Sequence, residues 1–267
     1  MAQSEAGVDW DRPVPSTSRF KAFYYTVAFH FCLVVFGVSC LVWSLPAALA
    51  YPLLPRRIGQ PIGQFGIMAG FRWALWVMRM TGVLRANLDV LDKLRDERGI
   101  VVACNHPTML DAVLLISRLP RVVCITKASL WDNVFLGGGI RLAGYLRNDA
   151  PLPMIRRAGE AVREGRQLLI FPEGSRTSRP PVDAFHRSFA LMAREAQAPV
   201  QTVLIEAGSP YLRKGWPLFR EPVLPLVFRF RLGERFEVGA DPADFVARLE
   251  AYFRSQLPPA ELGRAGR

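Results

Sequence analysis

Two short segments of this 267-residue chain bring together side chains able to do chemistry. The first is Cys104-Asn105-His106-Pro107-Thr108-Met109-Leu110-Asp111. An apolar run ends at Cys104 and a helical pattern begins near Met109, so His106 precedes a helix and Asp111 sits in its first turns. At that spacing the carboxylate can hold one imidazole nitrogen while the other faces substrate. Such a pair fixes the histidine tautomer and makes it a general base able to take a proton from an alcohol. A histidine that only caps the helix would have the same spacing. Cys104, His106 and Cys124 match no zinc-ligand pattern.

The second segment is Leu168-Leu169-Ile170-Phe171-Pro172-Glu173-Gly174-Ser175-Arg176-Thr177-Ser178. Pro172 ends a buried strand and Gly174 permits close backbone approach, which leaves Glu173 and Arg176 projecting at the edge that carries His106. Arg176 with its neighbouring hydroxyls can cradle a phosphate. An ordinary polar turn has the same composition. No G-x-S-x-G elbow makes Ser175 a nucleophile, and no Walker or dinucleotide-binding glycine pattern occurs.

These segments need a scaffold, and short apolar runs alternating with helical patterns supply one. Residues 100–104, 122–126, 168–171 and 200–205, with 224–228 as a further candidate, read as buried strands. Residues 109–118, 154–164, 186–197 and 244–256 read as helices. The alternation predicts an α/β fold, a mostly parallel or mixed sheet flanked by helices, in which ligands bind at the carboxyl ends of the strands. Lys127, at such a strand end, can approach a phosphate or simply be solvated. Gly137, Gly138 and Gly139 suit a flexible turn or a phosphate cradle. Trp131, Phe135 and Tyr145 fit either the core or an acyl groove, and His186 fits a helix cap.

Upstream the chain changes character. No charge occurs between Lys21 and Arg56, and residues 26–54 are long enough and apolar enough to cross about 30 Å of hydrocarbon. Pro46, Pro52 and Pro55 predict a helix over 20–45 followed by an irregular turn. A second helical pattern covers 65–82, and between Tyr51 and Leu88 five arginines face no acid, as on a surface lying against anionic headgroups. The expected organisation is a flexible N-terminus over 1–19, a membrane-associated helical segment over 20–82, an α/β domain over 83–257 and a loose tail over 258–267.

The balance of charge is +11, and only four of the 34 cations are lysine. Arginine is the better bidentate phosphate ligand. Anionic membrane lipids and phosphate-bearing substrates are the expected partners. Nucleic acid is not, because the positive charge is dispersed and no binding motif accompanies it. A hydrophobic share of 51% with 21% charged residues rules out a disordered chain. Four unpaired-looking cysteines suit a reduced compartment.

Taken together, the two segments resemble the signature blocks of the glycerolipid acyltransferase family, the lysophosphatidic acid acyltransferases and their relatives. Both have an asparagine and histidine ahead of an aspartate, then F-P-E-G-x-R about 65 residues on. The likeness covers roughly residues 65–230. It implies acyl transfer from acyl-CoA or acyl carrier protein to the hydroxyl of lysophosphatidic acid, giving phosphatidic acid at the cytoplasmic face of the cell membrane, with no metal or redox cofactor. By the resemblance, His106 is the general base and Asp111 orients it. Glu173, Gly174, Ser175 and Arg176 form the acceptor site, joined by Asn105, Lys127 and Arg147. Backbone N–H groups at the start of the helix after His106 are candidates for stabilising the oxyanion.

Two departures bear on the acceptor. The family's middle block runs from a glycine to an arginine six residues on, whereas Gly144 leads here to Ala150, so Arg147, Arg156 or Arg157 would supply the charge. The last block carries polar Gln201 and ends in Glu206. Another lipid, a polyene-pigment acceptor or a non-catalytic lipid-binding role therefore stands beside lysophosphatidic acid.

Overall fold

Strand residues that face two ways organise the molecule. In β2 (Ile100–Cys104), Val102 and Cys104 enter one core while Val101 and Ala103 enter another. A strand buried on both faces must read as an unbroken apolar run, and this one is buried at all five positions. The computed structural model describes residues 18–239 and 241–258. The N-terminus expected to be flexible and the expected tail lie almost wholly outside them.

Among the described residues seven strands form one sheet, in the order β1 (Leu84–Ala86), β7 (Leu226–Phe236), β6 (Val200–Ala207), β2, β5 (Gln167–Ile170), β3 (Val122–Thr126) and β4 (Leu146–Arg147). β3, β4, β5 and β6 run parallel to β2. β7 returns antiparallel to β6, and β1 pairs parallel with β7 at the outer edge. The sheet is mixed. One face packs against α1 (Arg19–Ala50), α2 (Arg56–Met80), α3 (Leu110–Ile116) and α4 (Gly137–Ala143). The other packs against α5 (Pro151–Arg163), α6 (Arg187–Ala196) and α7 (Pro242–Gln256).

Several boundaries differ from the sequence expectation. α1 continues through Pro46 to Ala50, with the proline on the exposed side and Ser44 and Ala47 buried. α2 begins at Arg56, nine residues before the expected 65, and carries Pro61 within it. Gly137–Gly139 is neither a flexible turn nor a phosphate cradle: the three residues are the buried first turn of α4. A Cβ on Gly138 would lie 1.9 Å from the carbonyl oxygen of Ser44 in α1, and one on Gly63 of α2 would lie 2.3 Å from the Ala143 nitrogen. Glycine lets the two N-terminal helices dock backbone-close on α4. Gln64 Nε2 donates to Ala143 O at 3.0 Å and Gly138 N donates to Ser44 Oγ at 3.0 Å across the same seam.

Candidate active site

His106 stands where β2 gives way to α3, at the carboxyl edge of the sheet. Its Nδ1 lies 3.0 Å from Oδ2 of Asp111, which is fully buried, while the imidazole side chain keeps 16% of its surface exposed. The ring stacks on Phe171 at the end of β5, with centroids 3.8 Å apart and planes 17° from parallel. Asp111 accepts more than this bond. Thr108 N donates to Oδ2 and Thr108 Oγ1 to Oδ1, both at 2.7 Å. With Nδ1–H donating to Asp111, Nε2 holds the lone pair. That is the nitrogen a substrate hydroxyl would meet.

Glu173 joins the two sequence segments. Oε1 accepts from His106 N at 2.9 Å and from Thr177 Oγ1 at 2.9 Å, and Oε2 accepts from Asp183 N at 2.8 Å. Thr177 N in turn donates to His106 O at 2.8 Å. Burial pushes the Glu173 carboxyl up from its ordinary range, and the two backbone donors and the threonine hydroxyl oppose that rise. The side chain is 3% exposed, so it braces the histidine loop from beneath instead of facing an acceptor. The resemblance implied an acceptor role for it; its partners here include backbone N–H groups 10 and 67 residues away, which no motif displays.

Asn105 has a similar place. It is 2% exposed, its Nδ2 donates to Ile205 O and its Oδ1 accepts from Ile205 N, both at 2.8 Å. The amide thus substitutes for a ladder rung between the ends of β2 and β6 and carries the backbone into the His106 turn.

Gly174 adopts φ +65°, a left-handed conformation that glycine tolerates, and a Cβ there would also lie 2.8 Å from the His186 ring. Ser175 Oγ makes only a 3.4 Å contact, to Arg176 O. The Arg176 guanidinium donates to Leu212 O at 2.8 Å and to Arg213 O at 3.1 Å, and has no carboxylate partner among the described residues. Two neutral carbonyls aim it and leave its charge uncompensated, which suits an anionic ligand.

On the other flank, Lys127 is exposed at the end of β3 and Arg147 at the end of β4. Register pairs Arg147 with Thr126, the residue before Lys127. Arg147 lies 5.5 Å over the Trp131 ring and is bound to Asp149 at 2.5 Å. That carboxylate raises the guanidinium pKa, and the arginine lowers that of Asp149. Arg147 is thus already paired where it was expected to supply a free charge. Tyr145 is buried in the core, whereas Phe135 is exposed. Cys104 and Cys124 lie buried on β2 and β3, with β5 between them.

Four N–H groups of the turn into α3 already have partners within the protein. His106 N is held by Glu173, Thr108 N by Asp111, Met109 N by Leu212 O at 3.1 Å and Leu110 N by Thr108 Oγ1. Those N–H groups build the turn.

Residues 85–206 match the model of the Acyltransferase family, and the stretch contains both segments and their spacing. Over these residues the chain carries an Acyltransferase-family domain. It is an O-acyltransferase. It is 24% identical over 197 residues to the 1-acyl-sn-glycerol-3-phosphate acyltransferase of Pseudomonas aeruginosa, covering 72% of this chain and 74% of that protein. It is 28% identical to the human 1-acyl-sn-glycerol-3-phosphate acyltransferase beta, covering 73% of this chain and 68% of that one. The lyso-ornithine lipid O-acyltransferase of Pseudomonas aeruginosa is 29% identical over 256 residues, 87% of this chain and 85% of its own length. The crystal structure of the 1-acyl-sn-glycerophosphate acyltransferase from Thermotoga maritima has the same acyltransferase fold, with a TM-score of 0.65 at 18% identity over 89% of this chain and 95% of that one.

Proposed function

We propose that the protein transfers a fatty acyl group from acyl-CoA or acyl carrier protein to the free hydroxyl of an anionic lysolipid, with lysophosphatidic acid as the acceptor and phosphatidic acid as the product. The observation that carries this reading is the bonded pair of His106 and Asp111 beside Arg176, a guanidinium with no carboxylate partner among the described residues. His106 Nε2 takes the hydroxyl proton and the acceptor oxygen attacks the thioester carbonyl. The tetrahedral intermediate collapses, the C–S bond breaks, and the departing thiolate receives the proton from His106. Arg176 holds the acceptor phosphate, and Asp111, Thr108 and Glu173 keep the base in place.

The extent of the likeness to the lyso-ornithine lipid acyltransferase supports a second acceptor. So does Ala150, which stands where the family's middle block has its arginine. An ornithine head group would also present an anion to Arg176. The deciding experiment gives detergent-purified protein one long-chain acyl-CoA with equimolar lysophosphatidic acid and lyso-ornithine lipid, and reads products by mass spectrometry. Phosphatidic acid in excess is the expected result. A predominance of diacylated ornithine lipid would replace the first acceptor by the second.

The same reading places the enzyme in one leaflet of the membrane, on the side where cytoplasmic thioesters are supplied. At about 1.5 Å per residue, α1 is roughly 48 Å long, more than the hydrocarbon thickness. Its buried side, from Ala28 to Ala47, lies against the rest of the molecule. Its other side exposes Phe20, Phe23, Val27, Phe31, Val34, Val38, Val42, Leu45 and Leu49 in steps of three or four. A helix docked along most of its length suits lying in the interface better than crossing it. Detergent, not high salt, should be needed to release the protein from membranes.

A further inference from the structure

Residues 208–225, which link β6 to β7, have two unlike halves. The first is bolted to the active site. Leu212 sits at φ +58°, in the left-handed region unfavourable to a leucine, and its carbonyl accepts from both Met109 N and Arg176 Nη1. Lys214 Nζ donates to Ser178 Oγ at 3.1 Å. The buried Tyr211 ring meets Phe29 of α1 at 5.5 Å between centroids, and its hydroxyl donates to Leu218 O at 3.4 Å. A short chain of contacts therefore runs from α1 through Tyr211 to the outer half of the loop.

That outer half does the reverse of what a soluble loop does. Within six residues it exposes Leu218 at 44%, Phe219 at 73% and Val223 at 76%. Arg213, Lys214 and Arg220 accompany them against the single acid Glu221. The Arg220 guanidinium lies 4.7 Å over the Trp216 ring, whose Nε1 donates to Arg220 O at 3.1 Å. An indole with a cation at its face, flanked by exposed aliphatic and aromatic tips, matches the chemistry of a bilayer interface.

We propose that residues 216–223 form a second membrane-contacting element, in which Leu218, Phe219 and Val223 enter an anionic phospholipid bilayer and Arg220 with Lys214 meets lipid phosphates. This rests on the reading of α1 as lodged in one leaflet. The loop gives that reading a direction. The half that touches lipid continues directly from the half that aims Arg176, so an acceptor leaving the bilayer meets the phosphate-binding arginine first and His106 next.

The test places an environment-sensitive fluorophore on single introduced cysteines, Phe219→Cys, Val34→Cys or Arg156→Cys, with the unsubstituted protein labelled as a blank. The full chain is reconstituted in vesicles of phosphatidylcholine and phosphatidylglycerol containing spin-labelled lipid. Position 219 should be quenched at least about threefold more than position 156, which is exposed on α5. Quenching at 34 with none at 219 would overturn the loop proposal and leave the anchor standing. A loop that binds a partner protein would give this result. Absence of quenching at both positions would overturn the loop and the leaflet reading together. In parallel, Phe219→Asp with Val223→Asp should lower kcat/KM for a vesicle-borne acceptor about tenfold, while a short-chain water-soluble acceptor turns over within about twofold of wild type. Equal losses on both acceptors would show a structural role and refute the proposal.

Discussion

Around His106 the ends of β2, β5 and β6 are cross-tied by Asn105 and Glu173, and Asp111 closes the turn onto the imidazole, each buried and each bonded at 2.7 to 3.0 Å. At the ends of β3 and β4, Lys127 is exposed with no side-chain partner among the described residues, and Arg147 is bound to its own neighbour Asp149. Three strand spacings of about 4.8 Å separate β2 from β4, so roughly 14 Å of one edge passes from fixed to adjustable. Proton transfer fails when a base is displaced by an ångström, so its supports must be buried and saturated. Binding a charged or long-chain substrate tolerates exposed, rearrangeable cations. A site divided in this way can keep its reaction while its acceptor changes.

Breaking the fixed end should cost most. Asp111→Asn should lower kcat about 100-fold, because the imidazole loses the group that holds its tautomer. Steady-state kinetics, with circular dichroism to check folding, would measure this. A loss below about threefold would mean that Asp111 only stabilises the turn. Glu173→Gln comes next, with an expected loss of about tenfold in kcat at little-changed acceptor KM and a stability lower by about 1 to 3 kcal/mol, since an amide cannot accept from all three donors. A rise confined to acceptor KM would return Glu173 to the acceptor site.

Arg176 sits between the two regimes. Arg176→Ala should raise acceptor KM about tenfold or more and leave kcat nearly unchanged. Arg147→Ala should change either constant by less than about threefold, because an exposed pair contributes little. If Arg147→Ala matched Arg176→Ala, the division of the edge would be lost and the β4 side would have to carry the phosphate.

Much of the fixed end was legible in the sequence. Both motifs begin where strands buried on two faces stop, and such strands read as unbroken apolar runs. The five-residue step from His106 to Asp111 then returned the carboxylate to the ring. The role of Glu173 was not legible, because the donors it accepts from are backbone groups. β7 was expected over only five residues and runs from Leu226 to Phe236. Its later half mixes Arg231, Gly233, Glu234 and Arg235 with few buried positions, so the strand period is hidden. α4 was missed for the opposite reason: three glycines look like a turn, and only the packed backbones of α1 and α2 show why small residues are required there.

The most direct test of the account is product formation by His106→Ala. Purified wild type and variant, each given long-chain acyl-CoA and lysophosphatidic acid, would be followed by mass spectrometry for phosphatidic acid. The variant rate should be about 10² to 10⁴ times lower with the fold intact. A folded variant that made phosphatidic acid at close to the wild-type rate would contradict it.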